Sequence, residues 1–476
     1  MSDQRSPIVK LMIVGAVSAL LFIPLLMVYA LIGDRQHQAR AAQNSVTAAW
    51  AGAQVVAGPM LVLPYIARTE VTETVNGKPV TRTTQKRRSL FISPSEQAID
   101  AGLDPEVCTR GSIHRTVVYD AAINGEARFA LPQDLDRLGI EEKDLLLDEA
   151  VVQLPISDPR GLQTDARLTL KGKALDLRPG LGAASEGTGV HAFFDWSEAN
   201  DLPRSIAFEF AYRLRGSSAF SLVPRGEETD LTVRSSWPHP SFVGGFLPSD
   251  GNRDVSEDGF SASWSISNLA LGQSLVSTSA PGLPVVSHDA DPFYFSGPPP
   301  VGSESAATIR LMEPVDLYKQ VERSIKYGFL FIGFTFTAFL MFDLVAGARV
   351  ASAEYLLTGA GLILFFVMLL AFSEMIGFGL AYALASAAII GLLTSYSAAV
   401  LGGWRRAGFV GALLTGLYAV LYVLLNLEEW SLVIGSLMLF AALAGVMYLT
   451  RRIEWSKVSI KPQEPDATQT AEAVEG

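Results

Sequence analysis

Six apolar stretches are spread very unevenly along this 476-residue chain. One lies at the N-terminus, from Leu11 to Gly33. Five crowd towards the other end: Tyr327 to Ala348, Tyr355 to Ser373, Met375 to Trp404, Ala407 to Leu427 and Trp430 to Thr450. Asp343 is the only charge inside any of them. An uncharged run of about 18 residues or more spans the ~30 Å hydrocarbon core as a helix. The first run exceeds the ~7–15 apolar residues of a cleaved signal peptide, so it reads as a retained anchor. The spacing predicts an integral membrane α-helical protein with one N-terminal plus five C-terminal spans. A large water-soluble domain lies between them. The predicted divisions are an N-terminal tail and anchor (1–33), an outer domain (34–326), a five-helix bundle (327–452) and a tail (453–476). The tail carries no aromatic residue after Trp455 and is predicted to be disordered.

Loop charge orients the chain. Lys and Arg collect on the cytoplasmic side of short loops. Arg5 and Lys10 precede the first span, Arg349 follows the second, Arg405 and Arg406 the fourth, and Arg451 and Arg452 the sixth. The alternate loops carry acids: Glu374, then Glu428 with Glu429. Both termini are therefore expected in the cytoplasm and the large domain outside. Arg323 and Lys326 run against the trend, but they adjoin a long translocated segment, where the rule is weak. A net charge of −11 gives no support to nucleic-acid binding. The lone cysteine, Cys108, has no intramolecular partner for a disulfide.

The outer domain reads as mostly β and sandwich-like, in one unit or two. Val71 to Thr84 predicts a hairpin about Asn76-Gly77, a dipeptide that accepts the positive φ values of a tight turn. A second hairpin is expected from Thr116 to Leu131 about Asn124-Gly125. A third is expected from Ile206 to Val223, turning near Gly216-Ser217-Ser218. Leu231 to Ser235 and Ser261 to Ser267 also read as strands. The Ala-rich run from Arg40 to Val56 reads as a continuation of the first helix, and Asp134 to Ala150 as a short helix. Gly282 to Val301, rich in Pro and Gly, reads as the return towards the membrane.

Several strings then read as familiar. Ser235-Ser236-Trp237-Pro238-His239-Pro240-Ser241-Phe242 is followed by Gly245-Phe246-Leu247-Pro248. Asp316-Leu317-Tyr318 leads through Arg323, Lys326-Tyr327 and Phe334-Thr335-Phe336 into the second span, and Glu354-Tyr355-Leu356-Leu357 opens the third. Ser373-Glu374-Met375-Ile376-Gly377-Phe378 forms a turn. Tyr448-Leu449-Thr450-Arg451 and Ile453-Glu454-Trp455 close the last span. In this order, and with the one-plus-five layout, residues 8 to 456 resemble the CreD family of bacterial inner-membrane proteins. The resemblance implies an inner-membrane protein tied to envelope integrity and to stress from antibiotics that target peptidoglycan. It implies no reaction, cofactor or catalytic residue. Two departures stand out. Ala351-Ser352 replaces a His-Pro that the family often carries, and Met375 replaces a histidine after Ser373-Glu374, which removes any histidine relay at that turn.

No catalytic motif or metal-ligand spacing appears, and no cofactor is expected. The five histidines, His37, His114, His191, His239 and His288, are scattered, whereas a zinc site needs three or four ligands brought together. Gly187-Thr188-Gly189-Val190-His191 lacks the helix entry of a phosphate loop and reads as a turn. Trp237, Pro238, His239, Pro240, Ser241 and Phe242 form the candidate recognition segment, because prolines on both sides of His239 fix φ and favour extended neighbours. Packing aromatics in a rigid turn is the plainer reading of the same string. In the bundle the candidates are Asp343, read as pairing with Arg349, and Glu374. Gly377, Gly379, Ala383, Ala385, Ser386 and Ala387 read as a small-residue packing surface. The expected partners are the lipid bilayer and an unknown periplasmic protein or envelope component. Two functions follow: a non-enzymatic envelope-integrity protein, or a transporter or flippase gated by the outer domain.

Overall fold

The computed structural model describes residues 7–75, 78–110, 114–133, 135–196, 205–281, 305–311, 317–345, 350–426 and 431–450. Two compact units emerge: residues 1–39 with 315–476, and residues 40–314.

The first unit is helical. Its elements are the start of α1 (Pro7–Trp50), α3 (Leu317–Lys326), α4 (Gly328–Val345), α5 (Ser352–Ile376), α6 (Phe378–Val400), α7 (Trp404–Asn426) and α8 (Ser431–Thr450). Among the described residues, Val9–Trp50, Leu317–Asp343, Ser352–Ile376, Phe378–Val400 and Trp404–Leu425 are long and apolar enough to cross a membrane. α1 runs unbroken well past Gly33. The Ala-rich run does continue the helix, but only to Trp50; Gln54 to Ala57 is strand. The core joins Leu21, Leu25 and Ile32 of α1 to Phe336 and Phe339 of α4, Phe365 and Phe366 of α5, and Tyr418 of α7. Small residues permit close approach: Gly361 of α5 faces Leu393 of α6. The packed face of α6 is Ala381, Ala385, Ile389, Leu393 and Ser397, at helical spacing. Ala383 and Ala387, expected on that face, are exposed; of the predicted small-residue stripe Ala385 packs fully inward.

The second unit is built from three sheets. The four-stranded sheet has the order β1 (Gln54–Ala57), β12 (Ala219–Val223), β18 (Ala307–Leu311), β14 (Pro240–Gly244). The six-stranded sheet runs β17 (Val276–Ser277), β3 (Lys78–Ile92), β2 (Met60–Val75), β6 (Ala150–Pro155), β10 (Gly189–Phe194), β9 (Arg178–Pro179). The eight-stranded sheet runs β15 (Arg253–Ser256), β16 (Gly259–Ser267), β13 (Glu228–Ser235), β4 (Glu96–Arg110), β5 (His114–Ala130), β11 (Ser205–Ser217), β7 (Arg167–Leu170), β8 (Lys173–Ala174). A single turn of helix, α2 (Asn268–Leu271), follows β16.

Alternation explains the larger sheet. In β11 every second residue from Ile206 to Leu214 is buried, so one face is apolar and the other wet. β6 is buried along its whole length, as a strand covered on both faces must be. One core serves all three sheets, which makes the domain one β unit. Phe194 of β10 meets Phe208 of β11 edge to face at 5.0 Å. Tyr119 of β5 meets Phe220 of β12 in the same way at 6.4 Å.

The first hairpin forms with Val75 paired to Lys78; Asn76 and Gly77 lie outside the described residues. The second does not form. β5 continues straight through Asn124 and Gly125, which pair with Asp100 and Ile99 on one side and with Ala211 and Phe210 on the other. Gly125 meets a different need from that of a turn, since a Cβ there would sit 2.4 Å from Phe210 Cζ. At Ser218 (φ 63°) the chain does turn. β11 and β12 are not a hairpin, however: β12 leaves for the four-stranded sheet and pairs with β1 and β18. The short helix expected from Asp134 to Ala150 is replaced by three 3-10 turns, Leu135–Leu138, Glu142–Asp144 and Leu147–Glu149. Gly282 to Val301 falls outside the described residues.

Candidate functional site

The string from Trp237 to Phe242 is two things. Ser236 to His239 is a loop leaving β13, and Pro240 to Gly244 is β14, the last strand of the four-stranded sheet. Trp237 is half-buried against the core and its backbone N–H donates to Ser235 Oγ at 3.2 Å. Phe242 packs edge to face on Phe260 (5.7 Å) and Trp264 (6.0 Å). Trp264 in turn donates from Nε1 to the Phe246 carbonyl at 3.2 Å. The aromatics are therefore anchors, not a presented surface. His239 is the exposed side chain between them, with Pro238, Pro240 and Ser241 half-buried.

A polar hub at the end of α1 left no mark in the sequence. Gln54 is fully buried. Its amide nitrogen donates to the carbonyls of Arg215 (2.7 Å) and Asp158 (3.1 Å). Its amide oxygen accepts from Ser157 Oγ (3.2 Å) and the Asp158 backbone N–H (3.3 Å). The Asp158 carboxylate accepts from Gly52 N–H (3.3 Å) and from the Arg160 guanidinium (2.7 Å). Arg160 Nη1 donates to the Ala48 carbonyl in the last turn of α1 (3.2 Å). The Arg215 guanidinium stacks over the Trp50 ring at 4.6 Å. The hydrogen bond from Arg160 is the main force holding the Asp158 carboxyl below the usual carboxylate range. Nearby, Tyr119 donates to the Ala219 carbonyl at 2.7 Å, and burial drives its phenol far above the ordinary range. Apart from the Arg215–Trp50 stack, the groups of the hub hold backbone in place. Its members are scattered from residue 48 to 215, and each alone looks like a surface polar residue.

In the bundle, Asp343 is buried and pairs with Lys10 of α1, Nζ to Oδ1 at 2.8 Å. The expected partner Arg349 lies outside the described residues. Glu374, in the last turn of α5, accepts from Tyr318 Oη of α3 at 3.2 Å. Asp343 lies in the last turn of α4, which packs beside the start of α5 through Phe339 and Tyr355, while Glu374 lies in the last turn of α5, so the structure does not bring the two together. The interior is more polar than its charges imply. The hydroxyls of Thr335, Tyr355, Thr358 and Tyr418 are buried without a hydrogen-bond partner among the described residues.

The wet face of the large sheet holds a shallow cavity of about 190 Å³ lined by Glu96, Gln97, Ala98, Glu126, Arg128, Glu228 and Asp230. Arg128 bridges Glu96 (2.6 Å) and Glu126 (3.2 Å). Among the described residues no group of three or more His, Cys, Asp or Glu is placed to hold a metal ion. His191 is buried in β10, its Nδ1 2.8 Å from the Gly180 carbonyl. Gly187 and Thr188 form the bend that enters that strand.

The family described as inner membrane protein CreD matches residues 6–456. The inner membrane protein CreD of Escherichia coli strain K12 is 31% identical over 456 residues, 94% of this chain and 93% of that protein. Among solved structures, a Legionella pneumophila protein named for nutrient binding is similar at a TM-score of 0.23 and 10% identity. That match covers 46% of this chain and 68% of the other, and a likeness at this level carries no argument.

Proposed function

The chain belongs to the CreD family of inner membrane proteins, and from that premise we propose that it is a non-enzymatic protein supporting envelope integrity and the response to envelope stress. On this reading both termini are cytoplasmic. The sheet domain is periplasmic and recognises a protein partner or an envelope component. The observation that carries the reading is the anchoring of the Trp237–Phe242 string. Trp237 and Phe242 are fixed by the core, so His239 is held exposed at a defined place. Preorganisation of this kind lowers the ordering cost of binding.

The test is survival under a cell-wall antibiotic at matched protein level. His239→Ala should weaken protection while leaving the melting temperature unchanged, and Asp343→Asn should protect once its stability loss is matched by expression. A second reading, a transporter or flippase for an envelope lipid or precursor, is favoured by the pairing of Lys10 with the buried Asp343 and by the hydroxyls inside the bundle that have no hydrogen-bond partner among the described residues. Full protection by His239→Ala with collapse of Asp343→Asn would replace the first reading by the second.

A further inference from the structure

Resting on the recognition reading above, we infer that the free edge of β14 is the recognition surface itself. It takes an extended acidic segment of a different protein as a fifth strand of the four-stranded sheet.

Hydrogen-bond phase shows which groups are on offer. Among the described residues β14 pairs with β18 alone and ends its sheet. Gly245 N–H donates to the Ala306 carbonyl at 3.1 Å, while Leu311 N–H turns the other way, to the Ser218 carbonyl at 2.9 Å. Phase alternates along an antiparallel pair. Ser241 and Val243, opposite Arg310 and Thr308, therefore turn their N–H and C=O groups towards β18. Pro240, Phe242 and Gly244 turn theirs away from the sheet. Pro240 sits where a missing N–H costs no ladder bond, the position proline takes on an edge strand. The N–H groups of Phe242 and Gly244 point outward and meet no acceptor among the described residues. Three carbonyls point with them. This is the row of groups that strand addition uses.

Side chains select the occupant. Phe242 turns into the core, so Ser241 and Val243 share the opposite face with Arg310 and Thr308. Arg310 is half-buried and has no counter-ion among the described residues. An added strand would lie about 10 Å from β18, two strand spacings away. Ser241, which lies between, is small enough to leave a carboxylate on that strand within reach of the guanidinium. A second copy of β14, Pro-Ser-Phe-Val-Gly, carries no acid to satisfy Arg310.

The test uses the full-length protein in detergent and a fluorescein-labelled peptide, Thr-Val-Glu-Val-Glu-Val-Thr. Binding is read by anisotropy. The acidic peptide should bind, and replacing its central valine by proline, or both glutamates by lysine, should weaken binding about tenfold or more. Arg310→Glu should reverse the preference between the acidic and lysine peptides, while Arg310→Lys keeps it and guards against misfolding. Binding indifferent to the proline, or no binding, would refute strand addition. p-Benzoylphenylalanine placed at Val243 in living cells gives a second readout. A crosslink to another copy of this chain would overturn the choice of partner. If peptide binding fails while His239→Ala still weakens envelope protection, recognition stands and the edge proposal falls. If both fail, the recognition reading falls with it.

Discussion

Gly125→Ala is expected to be among the most damaging methyl additions in the sheet domain. Gly125 sits in mid-strand between Ile99 and Phe210. Its backbone has ordinary φ, so alanine meets no conformational objection. The objection is steric: the new Cβ would lie 2.4 Å from Phe210 Cζ and 2.5 Å from the Ala98 carbonyl oxygen. Phe210 is 4% exposed and cannot swing away without opening the core, and Ala98 is fixed in the β4–β5 ladder. Overpacking of this kind costs about 1–3 kcal/mol. In a domain this large each kcal/mol moves Tm by about 2–4 °C, so a fall of roughly 2–12 °C is expected. Gly102→Ala in neighbouring β4 is the control. No heavy atom lies within 4 Å of its Cβ position, so the change should be neutral or stabilise by about 0.4–1 kcal/mol through the unfolded chain. The assay is thermal unfolding of residues 40–314 followed by circular dichroism. Phe210→Leu removes the ring atoms in the way, so the double variant should show a coupling of about 0.5–3 kcal/mol. Equal Tm values for the two alanine variants, or strict additivity with Phe210→Leu, would refute the mid-strand packing.

Removing Lys10 from the Lys10–Asp343 pair leaves a poorly solvated carboxylate. Lys10→Met, which strands the buried Asp343 carboxylate, should cost up to about 3–5 kcal/mol, seen as early loss of the monodisperse peak on heating in detergent; Asp343→Asn, which leaves the partly exposed Lys10, should cost less, and the double variant should recover most of the loss of Lys10→Met. A double variant as weak as the sum of the singles would show that the pair is incidental. The Asp158 carboxyl is held low chiefly by Arg160, so its contribution is present above the ordinary carboxylate pKa of ~3.9 and is lost as pH falls through the lower folded value. The melting temperature of the sheet domain should therefore drop from about pH 5 to pH 3, and Asp158→Asn should melt lower at neutral pH but fall less steeply over that window; parallel curves would contradict this. Orientation is checked by an impermeant thiol reagent on single cysteines in a Cys108→Ala background. Leu247→Cys should label and Arg405→Cys should not, and the opposite pattern would invert the topology.

Hydropathy made the helices legible because a membrane span is a local property: length and the absence of charge decide it, whatever the neighbours. Strands were legible where alternation is local, as at Leu231 to Ser235 and Ser261 to Ser267. The errors share one cause. Asn124-Gly125 carries the same dipeptide signal as Asn76-Gly77, yet one pair sits between two hairpin strands and the other runs straight through a sheet. What separates them is Phe210, about 85 residues downstream, whose ring takes the space of a side chain at Gly125. A local turn preference of a few tenths to one kcal/mol yields to ladder bonds on both sides of a central strand.

The functional residues divide along the same line. The Trp237–Phe242 string was visible because its prolines and aromatics are unusual in themselves. That Phe242 points inward and that the N–H of Phe242 and Gly244 point outward follow only from β18, a strand that begins more than 60 residues later. Lys10 reads as a flanking charge and Asp343 as an interfacial one until α1 and α4 are placed side by side. Gln54, Asp158, Arg160 and Arg215 read as surface residues until the chain folds back on the end of α1. Sequence can nominate a residue by its own chemistry. A backbone edge, an ion pair between distant helices and a hub of amides are properties of juxtaposition, and the decisive experiments therefore change two partners at once rather than one.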